Sequence, residues 1–419
     1  MATIMEVSQR LLGAMYEYAS QMSPLSLLLL LLATAGSTFI FVLLPPPPPI
    51  NQLTHHQLYA ALLLVAPIPR PPFPSEKKYI TTTPTGSVTE PKLLPCWLDN
   101  WEAHRNEAET GGRIQKHTGT IDAPEVEMSV VIPAYNEEDR IVIMLEECIA
   151  FCDPEYGRKP HSSKTANRNA NSTGRGMGGY EILIIDDGSN DQTVEVVLEF
   201  ARKHGLHDIL RVVSLKQNRG KGGAVTHGFR HVRGAYAVFA DADGASRFED
   251  LRKLVEGCKS VACGEGRAIA VGSRAHLVGS EAVVKRSALR NTLMHSFHLL
   301  LRLLTPPATS RIRDTQCGFK LFSRASLPHI VPYMHAEGWI FDVEMLMLAE
   351  SAPPSPSTAR ADSIGSKNES KGGIAVAEIP IGWKEISGSK LNVMWDSLGM
   401  AWGLAVLRAS WMVGVYRRR

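Results

Sequence analysis

Cysteine is scarce in this sequence, and its spacing is not that of a metal site. The chain has 419 residues and six cysteines, and no two of them stand in the paired spacing of a zinc-binding motif. Cys148 and Cys152 lie four residues apart in a helical pattern, which predicts that they pack inside the protein. We therefore predict a catalytic region that faces a reducing compartment.

The sequence also has little net charge. Lysine plus arginine number 45 and aspartate plus glutamate 42, so the formal net charge is only +3. Because no chain-wide excess of positive charge exists, no nucleic-acid partner is predicted. The length suggests two domains, or one large domain with extensions. A hydrophobic content of 44% and a charged content of 21% are typical of a folded protein with a membrane part.

Long apolar runs are few, but residues 25–44 form one that carries no charge. At about 1.5 Å per residue, this run matches a bilayer core of about 30 Å. The apolar part of a signal peptide is shorter, about 7–15 residues, and no small-residue cleavage site follows. We predict a transmembrane anchor after a short lumenal tail (1–24). Arg10 precedes the run, whereas Arg70, Lys77 and Lys78 follow it, which favours a cytosolic C-terminal body.

Alternating strand and helix patterns from residue 126 onward predict an α/β catalytic domain with a mostly parallel sheet over 126–390. Residues 45–125 are rich in proline and polar residues and lack clear periodicity, which predicts a tether with some local structure. In such sheets, ligands bind at the carboxyl ends of the strands. The predicted strands cover 128–132, 180–185, 210–214, 235–240 and 268–271, and the predicted helices cover 138–151, 193–204 and 221–232.

Two inserts and a C-terminal segment complete the domain plan. Residues 157–179 and 351–373 are rich in small polar residues, so they cannot bury a core and are predicted to be mobile surface loops. Residues 391–419 are apolar and aromatic with sparse charge. We predict a helix there that lies on the membrane surface, and the alternative is a helix packed on the sheet.

Asp241 and Asp243 directly follow the apolar run 235–240. In a strand, residues two positions apart point to the same face. Two like charges so close repel each other and raise each other's pKa unless a counter-ion is present. A hard divalent cation together with a phosphate-bearing substrate resolves this repulsion. The alternative is that the two aspartates only cap the next turn or helix.

Three other segments place polar residues where predicted strands end. Residues 131–138 run from a strand through a proline turn to a helix N-terminus, which suits a phosphate or nucleotide. Asp186 and Asp187 end the second strand, where a carboxylate can accept hydrogen bonds from a base or a ribose. Helix capping is the alternative for both segments. The glycine-rich stretch 218–224 lacks the spacing of a Walker loop and predicts only a turn that opens a helix.

Together these four segments, in this order and spacing, resemble the family-2 glycosyltransferases with the GT-A fold over about 126–391. The resemblance implies that Asp241 and Asp243 hold a divalent metal, Mg²⁺ or Mn²⁺, against a sugar-nucleotide diphosphate. Some relatives that transfer mannose carry a glutamine two residues past the second aspartate, but Ala245 stands here and supplies no third side-chain ligand. The substrate-binding residues that the resemblance implies are Pro133, Tyr135, Glu137, Asp186, Asp187, Lys221, Asp314, Lys384 and Lys390.

The second half of the sequence narrows this resemblance. Segments 272–274, 285–291 and 313–322 follow each other in the order of the polyprenyl-phosphate sugar transferases. They look most like the branch that transfers glucose from UDP-glucose to dolichyl phosphate at the endoplasmic reticulum membrane, for N-linked glycan assembly. Segment 379–390 resembles a mobile segment of that family near the diphosphate, where Lys384 and Lys390 would be the basic contacts.

The chemistry that this resemblance implies is electrostatic. A lipid phosphate is already an anion near neutral pH, so its attack on the sugar needs no strong general base. The enzyme must neutralise the UDP leaving group and position the nucleophile in line. Arg274 and Arg286 are predicted to clamp the acceptor phosphate, and a surface ion pair is the alternative for each. Direct displacement inverts the anomeric centre, so the product is β-linked.

Three rival functions remain open in the sequence. The nearest is a dolichyl-phosphate mannosyltransferase that uses GDP-mannose, since no residue by itself distinguishes glucose from mannose. A non-catalytic membrane scaffold is disfavoured because the strand-end acids at 186, 187, 241 and 243 are intact. A processive polysaccharide synthase is disfavoured because the sequence has one clear span and no Q-x-x-R-W motif.

Overall fold

A computed structural model describes residues 67–110, 121–158, 178–277, 288–354, 373–384, 386 and 393–416. The chain divides into a unit of residues 66–393, which carries the sheet, and a second unit, of which residues 394–416 are described. The strands are β1 (Lys78–Tyr79), β2 (Lys92–Leu93), β3 (Val126–Ala134), β4 (Tyr180–Asp186), β5 (Leu210–Ser214), β6 (Gly234–Ala240), β7 (Ala268–Ser273), β8 (Phe319–Ser323) and β9 (Ala375–Pro380).

Seven of these strands form the central sheet, in the order β5-β4-β3-β6-β8-β7-β9. The pairings β3–β4, β3–β6, β4–β5 and β7–β9 are parallel, whereas β8 runs antiparallel to β6 and β7. The mostly parallel sheet and its first five strands are therefore confirmed. The sequence did not predict β8 or β9, because a lysine interrupts the apolar run of β8 and a glutamate that of β9.

Helices pack against this sheet, with α4 on β3 and β4 and α5 on β7, β8 and β9. All seven residues of β4 are buried, as expected for a parallel strand covered on both faces. The helices are α1 (Trp97–Thr110), α2 (Ile141–Tyr156), α3 (Thr193–Lys203), α4 (Gly220–Phe229), α5 (Leu251–Val261), α6 (Ala288–Leu304), α7 (Pro307–Arg311), α8 (Phe341–Glu350) and α9 (Val393–Met412).

The described part of the predicted tether packs on the sheet unit instead of standing apart from it. Trp97 Nε1 donates to the carbonyl of Phe229 at 2.7 Å, and Thr81 Oγ1 donates to the carbonyl of Leu210 at 2.6 Å. The buried carboxylate of Glu76 accepts the N–H of Lys216 at 2.9 Å. Within the described residues, the sheet unit therefore includes segment 67–110. This segment contains short turns, two-residue strands and α1, a helix that the sequence did not predict.

The described residues bear on only part of the membrane and redox predictions. Within the described ranges, no helix has the length and apolar character that crossing a bilayer requires. The predicted anchor at 25–44 lies outside those ranges, as do most of the inserts at 157–179 and 351–373. The predicted C-terminal helix is present as α9. All six cysteines are free, and Cys148 and Cys152 are buried, as the helical pattern predicted.

Candidate active site

The carboxyl ends of β3, β4 and β6 bring the predicted site residues to one edge of the sheet. Ala134, the last residue of β3, pairs with Asp186, the last residue of β4. Strand β6 runs parallel to β3 and ends directly before Asp241. Because parallel strands end at the same edge, the acids after β4 and β6 share one side of the sheet, where ligands of α/β proteins bind.

The loop after β3 is tied to the loop after β4. Asn136 adopts a left-handed backbone (φ 53°), its N–H donates to Ser189 Oγ at 2.9 Å, and its Oδ1 accepts the N–H of Asn190 at 2.7 Å. The N–H of Glu137 donates to Thr193 Oγ1 at 2.7 Å. These three bonds join the two loops into one wall of the edge.

The predicted nucleotide-binding residues at the end of β3 and in the loop after it differ in their exposure and in their hydrogen bonds. Tyr135 is 38% exposed, and Pro133, the residue before the last one of β3, is partly exposed. The carboxylate of Glu137 accepts two hydrogen bonds from the guanidinium of Arg140, at 2.8 and 2.7 Å. Pro133 and Tyr135 therefore offer surface to a nucleotide, whereas Glu137 is engaged by the protein and its nucleotide contact stays a prediction.

Asp187 is a carboxyl group whose protonation is governed by burial. It is 3% exposed, and its Oδ1 accepts the backbone N–H of Arg219 at 2.7 Å. Burial raises its pKa to about 7, and the charge of Asp186 adds to this rise, while the backbone N–H groups of Arg219 and Gly220 oppose it. A strongly perturbed acid at a strand end is a candidate for a binding role.

This raised pKa predicts how Asp187→Asn changes stability with pH. The ordinary pKa of the group is 3.8, so between about pH 4 and pH 7 the folded protein holds a proton that the unfolded chain has lost. Folding stability from this group is present at low pH and is lost as pH rises towards 7. We expect Asp187→Asn to raise the urea midpoint of unfolding at pH 8 and to give no gain at pH 4. An equal change at both pH values would contradict this origin.

Asp241 and Asp243 share the neighbourhood of one lysine. Lys221 Nζ lies 2.5 Å from Asp241 Oδ1, and Asp243 Oδ1 accepts the N–H of Ala245 at 3.0 Å. Burial raises the pKa of Asp243, and the charge of Asp241 raises it further. Burial opposes the charge of Lys221, but Asp241 and Asp342 outweigh burial and raise its pKa. Lys221 is therefore a counter-ion of Asp241, and a divalent cation at the aspartate pair stays a prediction.

Two carboxylates in this arrangement fit a divalent cation that takes its other ligands elsewhere. In the part of the chain that the structure describes, no three histidine, cysteine or acidic side chains gather into a group that could hold a metal. Mg²⁺ keeps several waters and commonly binds through one or two carboxylates plus substrate phosphates. Asp241 and Asp243 could hold it in that way, with Ala245 contributing only its N–H to Asp243.

Gly318 is a site residue that the sequence did not reveal. The N–H of Asp241 donates to the Gly318 carbonyl at 3.1 Å. A Cβ at position 318 would lie closer than 3.0 Å to the carboxylate of Asp241, a separation that real Cβ atoms essentially never show. Glycine here therefore leaves the space that the carboxylate of Asp241 occupies. The signal was a glycine directly before an apolar strand in the segment 313–322.

A buried ion pair begins two residues after this glycine, at Lys320. Lys320, in the middle of β8, is fully buried, pairs with Asp342 and donates to the carbonyl of Cys317 at 2.9 Å. Burial raises the pKa of Asp342, which also feels the opposing charges of Lys320 and Lys221. A lysine inside an apolar run was the available signal, but its partner stands in a helix that the sequence did not predict.

The glycine-rich start of α4 allows a close approach that fixes Lys221. The N–H of Gly223 donates to the carbonyl of Glu337 at 3.0 Å. A Cβ at Gly222 would lie 2.6 Å from the carbonyl oxygen of Ala336, so only glycine fits there. These glycines pack α4 against segment 336–338, and Lys221, directly before Gly222, reaches Asp241.

The predicted acceptor clamp Arg274 is itself held by Asp314. Its Nε and Nη2 donate to the two carboxylate oxygens of Asp314 at 2.7 and 2.9 Å, and its backbone N–H donates to Oδ2 at 2.9 Å. Burial opposes ionisation of Asp314, but the hydrogen bonds from Arg274 lower its pKa. Asp314 therefore positions the guanidinium of Arg274, and a direct contact of Asp314 with substrate stays a prediction.

Of the three remaining basic residues predicted for the site, the structure describes only Lys384. The N–H of Lys384 donates to the carbonyl of Ala245 at 2.9 Å, and its Nζ donates to Glu147 Oε1 at 3.0 Å. Lys384 thus lies beside the loop that carries Asp243. Arg286 and Lys390 lie outside the described residues.

Comparisons with known proteins agree with this geometry. The model of the Glycosyl transferase family 2 matches residues 129–330. Proteins named dolichyl-phosphate beta-glucosyltransferase from Saccharomyces cerevisiae, Drosophila melanogaster and Homo sapiens are 38%, 40% and 37% identical. The alignments cover 86%, 71% and 75% of this chain, and 91%, 78% and 86% of those proteins. The α/β fold with a mostly parallel sheet is thus GT-A-like.

Among solved structures, the chain is similar to a glucosyl-3-phosphoglycerate synthase from Mycobacterium tuberculosis in complex with Mn²⁺, UDP-glucose and phosphoglyceric acid. The TM-score is 0.39 at 18% identity, over 69% of this chain and 80% of that one. A likeness of this size carries no argument about activity, so the sequence relatives alone bear on function.

Proposed function

We propose that this chain, which belongs to the family of dolichyl-phosphate beta-glucosyltransferases, transfers glucose from UDP-glucose to dolichyl phosphate. The observation that carries the proposal is the cation-attracting aspartate pair at the strand ends. Asp241 and Asp243 lie at the edge where Asp186 and Asp187 also end their strand, and Lys221 stands 2.5 Å from Asp241. This arrangement suits a nucleoside diphosphate with a sugar attached.

The acids and lysines divide the binding of the donor between them. Asp186 and Asp187 would bind the nucleoside, by accepting hydrogen bonds from its base or ribose. Asp241 and Asp243 would hold Mg²⁺ or Mn²⁺, which when bound neutralises charge on the diphosphate. Lys221 and Lys384 lie beside these two aspartates and add positive charge where UDP departs. The protein thus stabilises a leaving group without a strong acid.

Arg274 is the described residue that best suits the acceptor. A guanidinium binds phosphate oxygens through parallel N–H groups, and Asp314 fixes the orientation of this one. The negative charge of Asp241 also acts on Arg274, so the two groups belong to one electrostatic neighbourhood. A dolichyl phosphate held there attacks the sugar from the side opposite to UDP, and the anomeric centre inverts.

The donor sugar is glucose rather than mannose in this proposal. The three sequence relatives described above are all named as glucosyltransferases, so a mannosyltransferase that uses GDP-mannose is not favoured.

The membrane arrangement belongs to the proposal as well. Residues 25–44 would anchor the chain in the endoplasmic reticulum membrane as its single span, with the catalytic unit on the cytosolic face. Residues 391–419, which include α9, would lie at the membrane surface. The free state of all six cysteines is compatible with a reducing compartment.

The product identifies the reaction. Purified full-length enzyme is incubated in detergent with UDP-glucose, dolichyl phosphate and Mg²⁺, and the lipid product is analysed by ¹H NMR. We expect a glucosyl phosphate lipid with the coupling constant of a β-linked anomeric proton. An α-linked lipid would contradict direct displacement, and free glucose without a glucosyl lipid would contradict dolichyl phosphate as the acceptor.

A further inference from the structure

An indole ring lies open beside the aspartate pair. Trp339 is 39% exposed, whereas Ile340 and Phe341, which follow it, are buried. The centroid of its ring is 5.8 Å from Lys221 Nζ, and the same Nζ is 2.5 Å from Asp241 Oδ1. One ammonium group therefore contacts both the aromatic ring and the acid assigned to the diphosphate.

The backbone that carries this tryptophan is held on both sides. The carbonyl of Glu337 accepts the N–H of Gly223 at 3.0 Å, which ties the segment to α4. The N–H of Ala336 donates to the carboxylate of Glu344 at 2.9 Å, which ties it to α8. The backbone two and three residues before Trp339 is thus held in place, and a preorganised segment loses little conformational entropy when it binds a ligand.

The exposure of this ring has a free-energy cost that a ligand can remove. Apolar surface left in water costs about 25 cal/mol per Å², and tryptophan has the largest aromatic side chain. Single exposed apolar residues are ordinary on protein surfaces. Trp339 differs from such residues because its neighbouring cation, Lys221, belongs to the candidate active site. Binding pockets typically combine an aromatic wall with a few polar groups in this way.

The position of the ring selects the hexose of the donor as its ligand. In a UDP-sugar the group bonded to the terminal phosphate is the sugar, so it is the first apolar surface beyond the diphosphate. A glucopyranose ring with equatorial hydroxyls presents C–H groups on its faces, and such a face packs on an indole. The isoprenoid chain of the acceptor is farther away, because the acceptor phosphate and the sugar stand between it and the diphosphate.

We infer that Trp339 is a donor-binding residue that packs against the glucose ring of UDP-glucose and contributes to selection of that sugar. The inference rests on the proposed function and adds a residue that the sequence did not single out. In galactose the C4 hydroxyl is axial and projects from the face on which glucose carries its axial C4–H group, so it would hold that face away from an aromatic ring. The same platform therefore favours glucose over galactose on the same nucleotide.

The test compares ligands with and without the sugar. Trp339→Ala and Trp339→Phe are measured beside the wild type in full-length enzyme, for KM of UDP-glucose and for competitive inhibition by UDP. We expect Trp339→Ala to raise KM for UDP-glucose about tenfold or more and to leave the inhibition constant of UDP within about twofold. Trp339→Phe keeps an aromatic face and should restore most of the affinity. Preference for UDP-glucose over UDP-galactose should fall in Trp339→Ala.

Three outcomes would overturn the inference. An unchanged KM for UDP-glucose would remove the sugar contact. An equal weakening of UDP and UDP-glucose would assign Trp339 to the nucleotide or to folding. A change confined to KM for dolichyl phosphate would assign it to the isoprenoid.

Leu93→Ala, at an exposed apolar residue of β2, is the control and should change none of these constants. Wild-type transfer in the same assay checks the proposed function separately. If Trp339→Ala does not fold, Trp339→Leu replaces it.

Discussion

Asp243→Asn is expected to lower glucosyl transfer by about 10³-fold or more while the protein stays folded. A bound divalent cation contributes several kcal/mol of charge stabilisation to the departing diphosphate, and each 1.4 kcal/mol is a factor of about ten in rate. Asparagine has nearly the shape of aspartate and can still accept the N–H of Ala245, so the loop has no reason to change. The variant also removes a carboxyl that burial and Asp241 make unfavourable. Its thermal midpoint should therefore equal or exceed that of the wild type.

Transfer of radiolabelled glucose and Mn²⁺ binding in the presence of UDP are the two measurements for this variant. Both should be lost together in Asp243→Asn. Glu249→Gln, which changes an exposed carboxylate six residues after Asp243, is the matched control and should keep both activities. Normal turnover in Asp243→Asn, or loss of transfer with normal Mn²⁺ binding, would contradict the assignment of Asp243 to the metal.

Gly318→Ala is expected to cost at least about 100-fold in transfer with only a small loss of stability. A single methyl at this position collides with the carboxylate of Asp241, which must rotate or move away. That movement breaks the contact between Asp241 and Lys221, and a shift of about 1 Å in a catalytic group can cost about 10²-fold in rate. Because the collision meets the end of a side chain, overpacking should cost no more than about 1–3 kcal/mol of unfolding free energy.

Activity and the free energy of unfolding must be measured on the same preparation to distinguish this effect from misfolding. Gly399→Ala introduces the same methyl where no atom lies within 4 Å and is the control, with full activity expected. If Gly318→Ala transferred glucose at the wild-type rate, the close packing of Gly318 on Asp241 would have no part in catalysis.

The sequence predicted those parts of the site whose signal is local. Continuous apolar runs located β3 to β7, and the acids at their ends followed from alternation and register alone. The aspartate pair was recognisable because two carboxylates follow an apolar run. The structure ends β6 at Ala240, so the pair lies in the loop after the strand and not on one strand face, and Lys221 is the counter-ion of Asp241. The parallel pairing of β3 with β4 and β6 then brought these ends to one edge.

The features that the sequence did not predict depend on contacts between distant segments. Lys320 interrupts β8 and becomes a buried residue only because Asp342 pairs with it. Segment 67–105 packs through buried apolar residues of short elements and of α1, and Trp97 also donates to the carbonyl of Phe229, 132 positions farther along the chain. Trp339 looks like an ordinary core residue in the sequence, and only its position beside Lys221 indicates a binding role. Arg274 was identified, but its orientation by Asp314 was not.

The most direct test of the central claim is a donor competition with purified full-length enzyme. Equal concentrations of UDP-glucose and GDP-mannose are supplied with dolichyl phosphate and Mg²⁺, with one donor radiolabelled at a time, and the label in the lipid fraction is counted. The account predicts that the lipid carries label from UDP-glucose alone. It also predicts that Asp243→Asn abolishes this labelling. Lipid labelled from GDP-mannose and not from UDP-glucose would contradict the account.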